Sequence, residues 1–464
     1  MYFDKETYTS RRSELIKKIG SGIIVLPGNA ESARNFKANT YFFVQDSSFL
    51  YYTGINLPDL TLVLNCETGE SVLFGNEASI DHTIWMGAQE SLKDKAIKIG
   101  ISSVLEEKKL FDYIKNHAVK STVHYLPAYR SSTMILLSQL LEISINEVNA
   151  KISIDLINAV VSQREIKSAS EIQEMEKALD ITREMHLKVM SIARSGRKES
   201  SLVGAIENTV ITQGSYPAYP PIVTVQGQIL HNFNYTNELK RGQLLLGDFG
   251  ASSHSGYAGD ITRTIPVSGK FTGKQKEIYQ IVLEAQNRAI EILKPNVLFR
   301  DVHLASCMTI VDGLKDLGLM KGDTKEAVAA GAHALFFPHG IGHMIGMDVH
   351  DMESLGENYV GYDDEVLKSE QFGLKSLRLG KRLKPGFTVT IEPGIYFIPE
   401  LFNDWKSNNK ICAPFFNFDK IESYLDFGGI RIEDEYLITD DGSEILGKYI
   451  PKKISEIEQI MTGH

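Results

Sequence analysis

Five widely separated residues, Asp248, Asp260, His343, Glu392 and Glu433, are of the types that hold metal ions when a fold brings them together. Four are carboxylates and one is an imidazole. Each sits in a short stretch of glycines, prolines or alternating apolar residues, where a charged side chain needs a reason. Carboxylates gathered in one place repel one another and do not all stay ionised unless cations hold them. If the five converge, the chain carries a two-metal centre and is a metalloenzyme. Singly, each is weak evidence, because a lone aspartate at a strand end is more often a turn or cap residue.

A second constellation is His339, His343 and His350, in Pro338-His339-Gly340-Ile341-Gly342-His343 and Asp348-Val349-His350-Asp351. The four-residue spacing of the first two resembles a helical zinc-protease motif, but the glutamate is missing and two glycines intervene. A glycine-rich irregular segment instead brings backbone and imidazole close to a ligand. His231, after Gln228-Ile229-Leu230, is the fourth histidine of interest. Two other signals fail. Gly247-Asp248-Phe249-Gly250 contains the kinase magnesium tripeptide without a catalytic loop or phosphate loop. Gly340-Ile341-Gly342 with Gly346 has the wrong spacing for a nucleotide fingerprint.

The elements that must position these residues belong to a soluble globular chain. Its 464 residues exceed one ordinary core, and 43% hydrophobic with 23% charged residues excludes disorder. A formal charge of −10 argues against nucleic acid or an anionic membrane as partner. Cys66, Cys307 and Cys412, widely spaced and odd in number, are expected to form neither a disulfide framework nor a thiolate zinc site, which fits a reducing compartment. No apolar run of about 18 residues exists to span a membrane, and Met1 to Gly20 lacks a signal-peptide core, so the expected location is cytoplasmic. Ile23–Leu26, Leu60–Leu64 and Ser71–Phe74 read as strands, with a turn at Thr68-Gly69-Glu70. Ser168 with Glu171, or Ser170 with Gln173, opens a strongly helical stretch, which puts a domain boundary near residue 160. Further helices are expected at about 273–293 and 300–318. Asp248 and Asp260 flank a turn and are expected on adjacent antiparallel strands. Thr388–Ile391 leads into Glu392 as a strand, and Gly428–Glu433 reads as another.

With these stretches in view, the chain resembles the proline-specific exopeptidases of the creatinase/methionine-aminopeptidase superfamily, aminopeptidase P and prolidase. The resemblance rests on Ile229-Leu230-His231, Asp248-Phe249-Gly250, Gly256 to Thr264, Pro338 to Asp351, Ile391 to Tyr396 and Gly429 to Asp434, in the family's order. Arg11-Arg12, Gln45-Asp46-Ser47, Tyr51-Tyr52-Thr53-Gly54 and Ile84-Trp85-Met86-Gly87 extend it to the amino-terminal part. The resemblance implies an α/β pita-bread catalytic domain, residues 161–464, preceded by a smaller mixed α/β domain, residues 1–160. It implies two divalent ions, usually Mn(2+), with Co(2+) or Zn(2+) as other occupants. Asp260 and Glu433 would bridge them, Asp248 would complete one shell, and His343 with Glu392 the other. A water or hydroxide between the ions would attack the carbonyl before proline. Glu392 would also shuttle the proton, His350 would stabilise the oxyanion, and His231 would contact substrate near the scissile bond. Arg431 and Thr262 would orient ligands, and His339 and Tyr396 would support them.

The expected activity is release of the first residue from peptides with proline second, as in aminopeptidase P. The dipeptide-specific prolidase is the alternative. It draws on the long segment between Tyr396 and Gly428, and on Arg378, which stands where prolidases grip a free carboxylate. A charge solvated among Lys375, Lys381 and Arg382 is the plainer account of Arg378. Family members that serve as non-catalytic binding modules have lost metal ligands, whereas all five positions are filled here. The resemblance also suggests a homodimer or homotetramer acting on short peptides, with no nucleic-acid or membrane partner.

Overall fold

Apolar and β-branched residues in the first third run on without polar alternation, as strands buried on both faces require. The computed structural model describes residues 3–118 and 121–463, in two units divided between Arg164 and Glu165, with Met352–Tyr359 belonging to the first. Five strands build the first unit: β1 (Ile23–Pro27), β2 (Thr61–Asn65), β3 (Ser71–Phe74), β4 (Ser103–Leu105) and β5 (Val123–Tyr125), in the order β4-β3-β2-β1-β5. Antiparallel pairing joins β1 to β2 and β2 to β3, while the outer strands β4 and β5 add in parallel. The β2–β3 turn closes through Gly69, whose φ of 75° suits glycine. Ile23, Val25, Val63, Val72 and Phe74 form one face and pack with Leu110, Ile114 and Leu140. The alternate residues Ile24, Leu26, Leu62 and Leu64 are equally buried on the side where the helix Lys5–Ile19 meets β2. Among the described residues, this unit contains no His/Cys/Asp/Glu group at metal-binding spacing.

The second unit opens with the helix Ala169–Ile192, capped reciprocally by Ser168 and Glu171. Of the two caps the sequence allows, this one forms. Helices follow at Glu199–Thr212, Gly273–Glu291 and Phe299–Asp316, the second of these also begun by a capping box, Thr272 with Gln275. Between and after them run β6 (Tyr216–Pro217), β7 (Ile222–Thr224), β8 (Leu244–Asp248), β9 (Ala251–Ser252), β10 (Thr262–Pro266), β11 (Thr388–Ile391), β12 (Gly394–Tyr396), β13 (Gly429–Arg431), β14 (Asp434–Ile438) and β15 (Ser443–Ile445). They pair as β10-β8-β7, β11-β14-β15, β12-β13 and β6-β9. Side chains and single backbone bonds stitch these short sheets together. Thr264 exchanges hydrogen bonds with the Arg431 backbone, and Gln286, buried on the helix Gly273–Glu291, donates to the carbonyls of Ile391 and Ile432 where two strands end.

Two sequence expectations change here. Gly428–Glu433 is not one strand, because pairing stops at Arg431 and restarts at Asp434, leaving Glu433 in the break. Asp260 precedes β10 rather than lying on it. Both acids gain the freedom of an irregular backbone to point into one pocket. Among the described residues, no helix is long and apolar enough to cross a membrane.

Candidate metal centre

Antiparallel register sets Asp248, the last residue of β8, opposite Thr262, the first of β10. The two arms beyond this pair approach so closely that a Cβ on Gly250 would lie 1.7 Å from the Gly259 carbonyl oxygen. Only glycine fits, and the contact keeps Asp248 and Asp260 near each other. From behind, His186 of the helix Ala169–Ile192 stacks on Phe249, with ring centroids 4.0 Å apart. Thr182 accepts a hydrogen bond from the Ala251 N–H. The helix therefore clamps Asp248-Phe249-Gly250 in place. His343 arrives on the glycine-rich segment, which runs against β11: Thr390 N–H donates to the His343 carbonyl, and the His343 N–H donates to Thr390 Oγ1. Gly342 is obligatory as well, since a Cβ there would sit 1.9 Å from the Thr390 carbonyl oxygen. Glu392 follows β11 directly, and its N–H bonds the Ile341 carbonyl.

The result is a convergence. Donor atoms of Asp260, His343 and Glu433 all lie within 4.8 Å of one another. His343 Nε2 is 3.4 Å from Asp260 Oδ2 and 3.9 Å from Glu392 Oε1. Its Nδ1 donates to the Met344 carbonyl, so Nε2 is the nitrogen turned toward the carboxylates. Tyr219 donates its hydroxyl toward both Asp248 Oδ1 and Asp260 Oδ1, tying in the fifth residue. Arg431 reaches Asp248 Oδ2 at 2.5 Å, Thr262 Oγ1 at 3.2 Å and the Tyr396 hydroxyl at 2.8 Å. Thr262 in turn donates to Glu433 Oε2 at 2.7 Å. His339 accepts from Tyr396 through Nε2 and has Nδ1 3.7 Å from Glu392 Oε2. His350 packs edge-on against His343, centroids 4.5 Å apart.

Two further sequence candidates stand on irregular chain, and the charge of one, His231, is felt at His339. His231 is exposed on the loop after β7, beside Phe233. Arg378 is half-buried in the irregular chain before β11, with its carbonyl facing Gly361. Conversely, two residues that sequence reasoning missed belong to the site. One is Tyr219. The other is Glu435, which accepts the Asp260 N–H at 2.6 Å. Tyr219 stands in the proline-rich Tyr216-Pro217-Ala218-Tyr219-Pro220-Pro221, which reads only as irregular chain, and Glu435 was hidden in a run of acids.

Electrostatics states the need for cations. Burial, then repulsion from Asp260, Glu392 and Asp248, drives the Glu433 carboxyl well above the ordinary range. Burial raises Glu392 to about 7 despite the pull of His343. Burial likewise raises Asp248 against Arg431. Asp260 goes the other way, since the hydrogen bond and charge of His343 outweigh its burial. Burial lowers His343, but the hydrogen bond and charge of Asp260, with the charge of Glu392, hold it above its usual value. Protons thus occupy part of a cage whose oxygen-rich donor set, with one imidazole, suits a pair of hard-to-borderline divalent cations. The residues present fit such a pair.

Residues 173–440 match the model of metallopeptidase family M24, and residues 8–125 match the aminopeptidase P amino-terminal domain. The chain is 31% identical to an Xaa-Pro aminopeptidase of Escherichia coli, across 99% of this chain and 98% of that protein. It is 30% identical to a human Xaa-Pro dipeptidase, across 95% and 89%. The fold resembles zinc-substituted E. coli aminopeptidase P in complex with product at a TM-score of 0.83, with 29% identity and 100% and 99% of the two chains covered. The chain belongs to metallopeptidase family M24, with an aminopeptidase P-type amino-terminal domain and a pita-bread catalytic domain. It is a metal-dependent hydrolase.

Proposed function

We propose that this hydrolase is an Xaa-Pro aminopeptidase that releases the first residue from short peptides with proline second. The observation that carries the reading is the convergence of Asp260, His343 and Glu433 donor atoms within 4.8 Å, flanked by Asp248 and Glu392, in a chain alike over its full length to an Xaa-Pro aminopeptidase. Asp260 and Glu433 would bridge two divalent ions, Asp248 would complete one site, and His343 with Glu392 the other. Mn(2+) is the proposed pair, on the oxygen-rich donor set. Bound there, the ions supply an activated water near neutral pH. Glu392, 3.9 Å from His343 Nε2, would take and return a proton at the reacting bond. Its neighbour His339 is kept neutral, pushed down to about 3 by burial and by Arg431. His350, beside His343, would stabilise the negative oxygen formed at the attacked carbonyl. Lys167 holds Asp351, next in the chain, at 2.7 Å in a buried pair. His231 would contact the substrate near the scissile bond, and Arg431, Tyr396 and Thr262 would hold the acids in register.

The dipeptide-restricted reading has support of its own in the human relative, named an Xaa-Pro dipeptidase, and in Arg378. Hydrolysis of Gly-Pro compared with a tripeptide beginning Xaa-Pro-Pro, with manganese added, decides between them. Preferred turnover of the tripeptide is the expected result, and turnover of the dipeptide alone would make the protein a prolidase. The same reading takes the domain boundary at about residue 160, a cytoplasmic setting and a homodimer or homotetramer.

A further inference from the structure

Outside the carboxylate centre, the second unit holds another group of metal-binding side chains. His303 and Cys307 lie one turn apart on the helix Phe299–Asp316 and so share a face. His333 comes from the single 3-10 turn Ala332–Leu335, which follows Gly331 at φ 80°. One donor atom from each of the three lies within 4.8 Å of the other two, and all three residues are 0% exposed.

Their hydrogen bonding is incomplete. Cys307 Sγ is 3.3 Å from His303 Nε2, but His303 Nδ1 and both nitrogens of His333 have no hydrogen-bond partner among the described residues. The Val328 carbonyl faces the His333 ring without a bond of ordinary geometry. An unsatisfied buried polar atom is destabilising, and buried histidines are normally bonded. The surroundings offer little relief: the Phe337 ring is 5.4 Å from His303, and Gly373 covers His333. Burial keeps both rings neutral, with His303 pushed well below its usual value and His333 down to about 4, so their lone pairs are free.

We propose that His303, Cys307 and His333 form a separate metal site for a thiophilic d10 cation, zinc or copper(I). One thiolate and two imidazoles select a softer ion than the oxygen-rich centre does. Binding releases the Cys307 thiol proton to solvent and replaces the S–H···N contact with bonds from sulfur and two ring nitrogens to the ion. No oxidation state changes. Copper(I) with one thiolate is neutral and satisfied by three donors, whereas zinc takes a water as fourth ligand. Either ion fastens the helix Phe299–Asp316 to the turn Ala332–Leu335, four residues before His339. The site holds the start of the segment that delivers His339 and His343.

The test uses the full chain, reduced and stripped of metal, then loaded in separate arms with Zn2+ or with copper(I) under reductant. Metal content and X-ray absorption at the metal edge are the readouts. Wild type is expected to retain one metal equivalent per chain more than Cys307→Ser, with a metal–sulfur shell at about 2.3 Å for zinc. Asp260→Ala, which impairs the carboxylate centre, is expected to keep that shell, so the two sites are read independently. Sulfur at the zinc edge assigns zinc, and sulfur at the copper edge assigns copper(I). A sulfur shell in neither arm, or equal retention by wild type and Cys307→Ser, overturns the site. Should the serine variant fail to fold, the wild-type edge spectra decide alone.

Discussion

Glu433 and Asp434 are neighbours in the chain, both fully buried, yet they face opposite chemical problems. Asp434 meets fixed cations: Arg263 at 2.5 Å and Lys452 at 2.7 Å. Burial alone would raise its carboxyl, but Arg263 and then Lys452 hold it below the ordinary range. Glu433 meets Asp260, Glu392 and Asp248, and its carboxyl is driven well up. Structural acids carry their own counter-charge on the chain. Glu433 has no cation bonded to it among the described residues and leaves its counter-charge to be supplied, as a ligand in a proposed metal centre would. Glu435 adds a third variant, one oxygen spent on the Asp260 N–H and the other without a partner among the described residues.

The contrast breaks most visibly by removing one acid at a time. Asp260→Ala or Glu433→Ala is expected to abolish tight metal binding and to lower kcat/KM about a thousand-fold or more, roughly 4 kcal/mol, with the far-ultraviolet circular dichroism unchanged. Wild-type-like hydrolysis in either variant would refute the bridging assignment. Asp434→Asn, by contrast, strands Arg263 and Lys452 in the interior. It is expected to cost about 3–5 kcal/mol in urea unfolding, while folded protein still binds metal. A variant that loses metal but no stability would put Asp434 on the wrong side of the comparison.

Finer perturbations sharpen it. Tyr219→Phe removes a hydroxyl shared by Asp248 and Asp260, and a loss of about 10–100-fold in metal affinity is expected by calorimetric titration. Affinity within twofold of wild type would make that contact incidental. The pH dependence of the metal-free protein tests the mutual repulsion. Glu392 has its folded value raised from 4.5 to about 7. Its contribution to stability is therefore full below about pH 4.5 and lost as pH rises through about 7. Melting temperature of metal-free wild type, relative to Glu392→Gln, should fall across that window, and a flat difference would contradict the shift. The smallest effect is expected from Arg378→Ala: a raised KM for Xaa-Pro dipeptides only. An equal rise for longer peptides would remove its carboxylate-gripping role.

Legibility in the sequence followed local physics. Strands β1 to β3 and the Ser168 cap were readable because period, apolar runs and capping act over a few residues. Acids stranded among glycines and apolar residues were readable as candidates for the same reason. The break at Glu433 was not, because Gly429-Ile430-Arg431-Ile432-Glu433 alternates like an uninterrupted strand. Only the pairing of Arg431 with Gly394 and of Asp434 with Ile391, in different sheets, divides it. Tyr219 and Glu435 were invisible because their roles are contacts across 41 and 175 residues of chain, respectively.

By itself, then, the sequence determined the residue types able to bind metal, the segments that carry them and the family to which those segments belong. The tertiary structure alone decided which acid of the Glu433-Asp434-Glu435 run faces the cage, which faces Arg263, and which supports Asp260. The physical reason is that a carboxylate's role is set by the charges within a few ångströms of it. Those charges come from strands and helices that are distant neighbours along the chain.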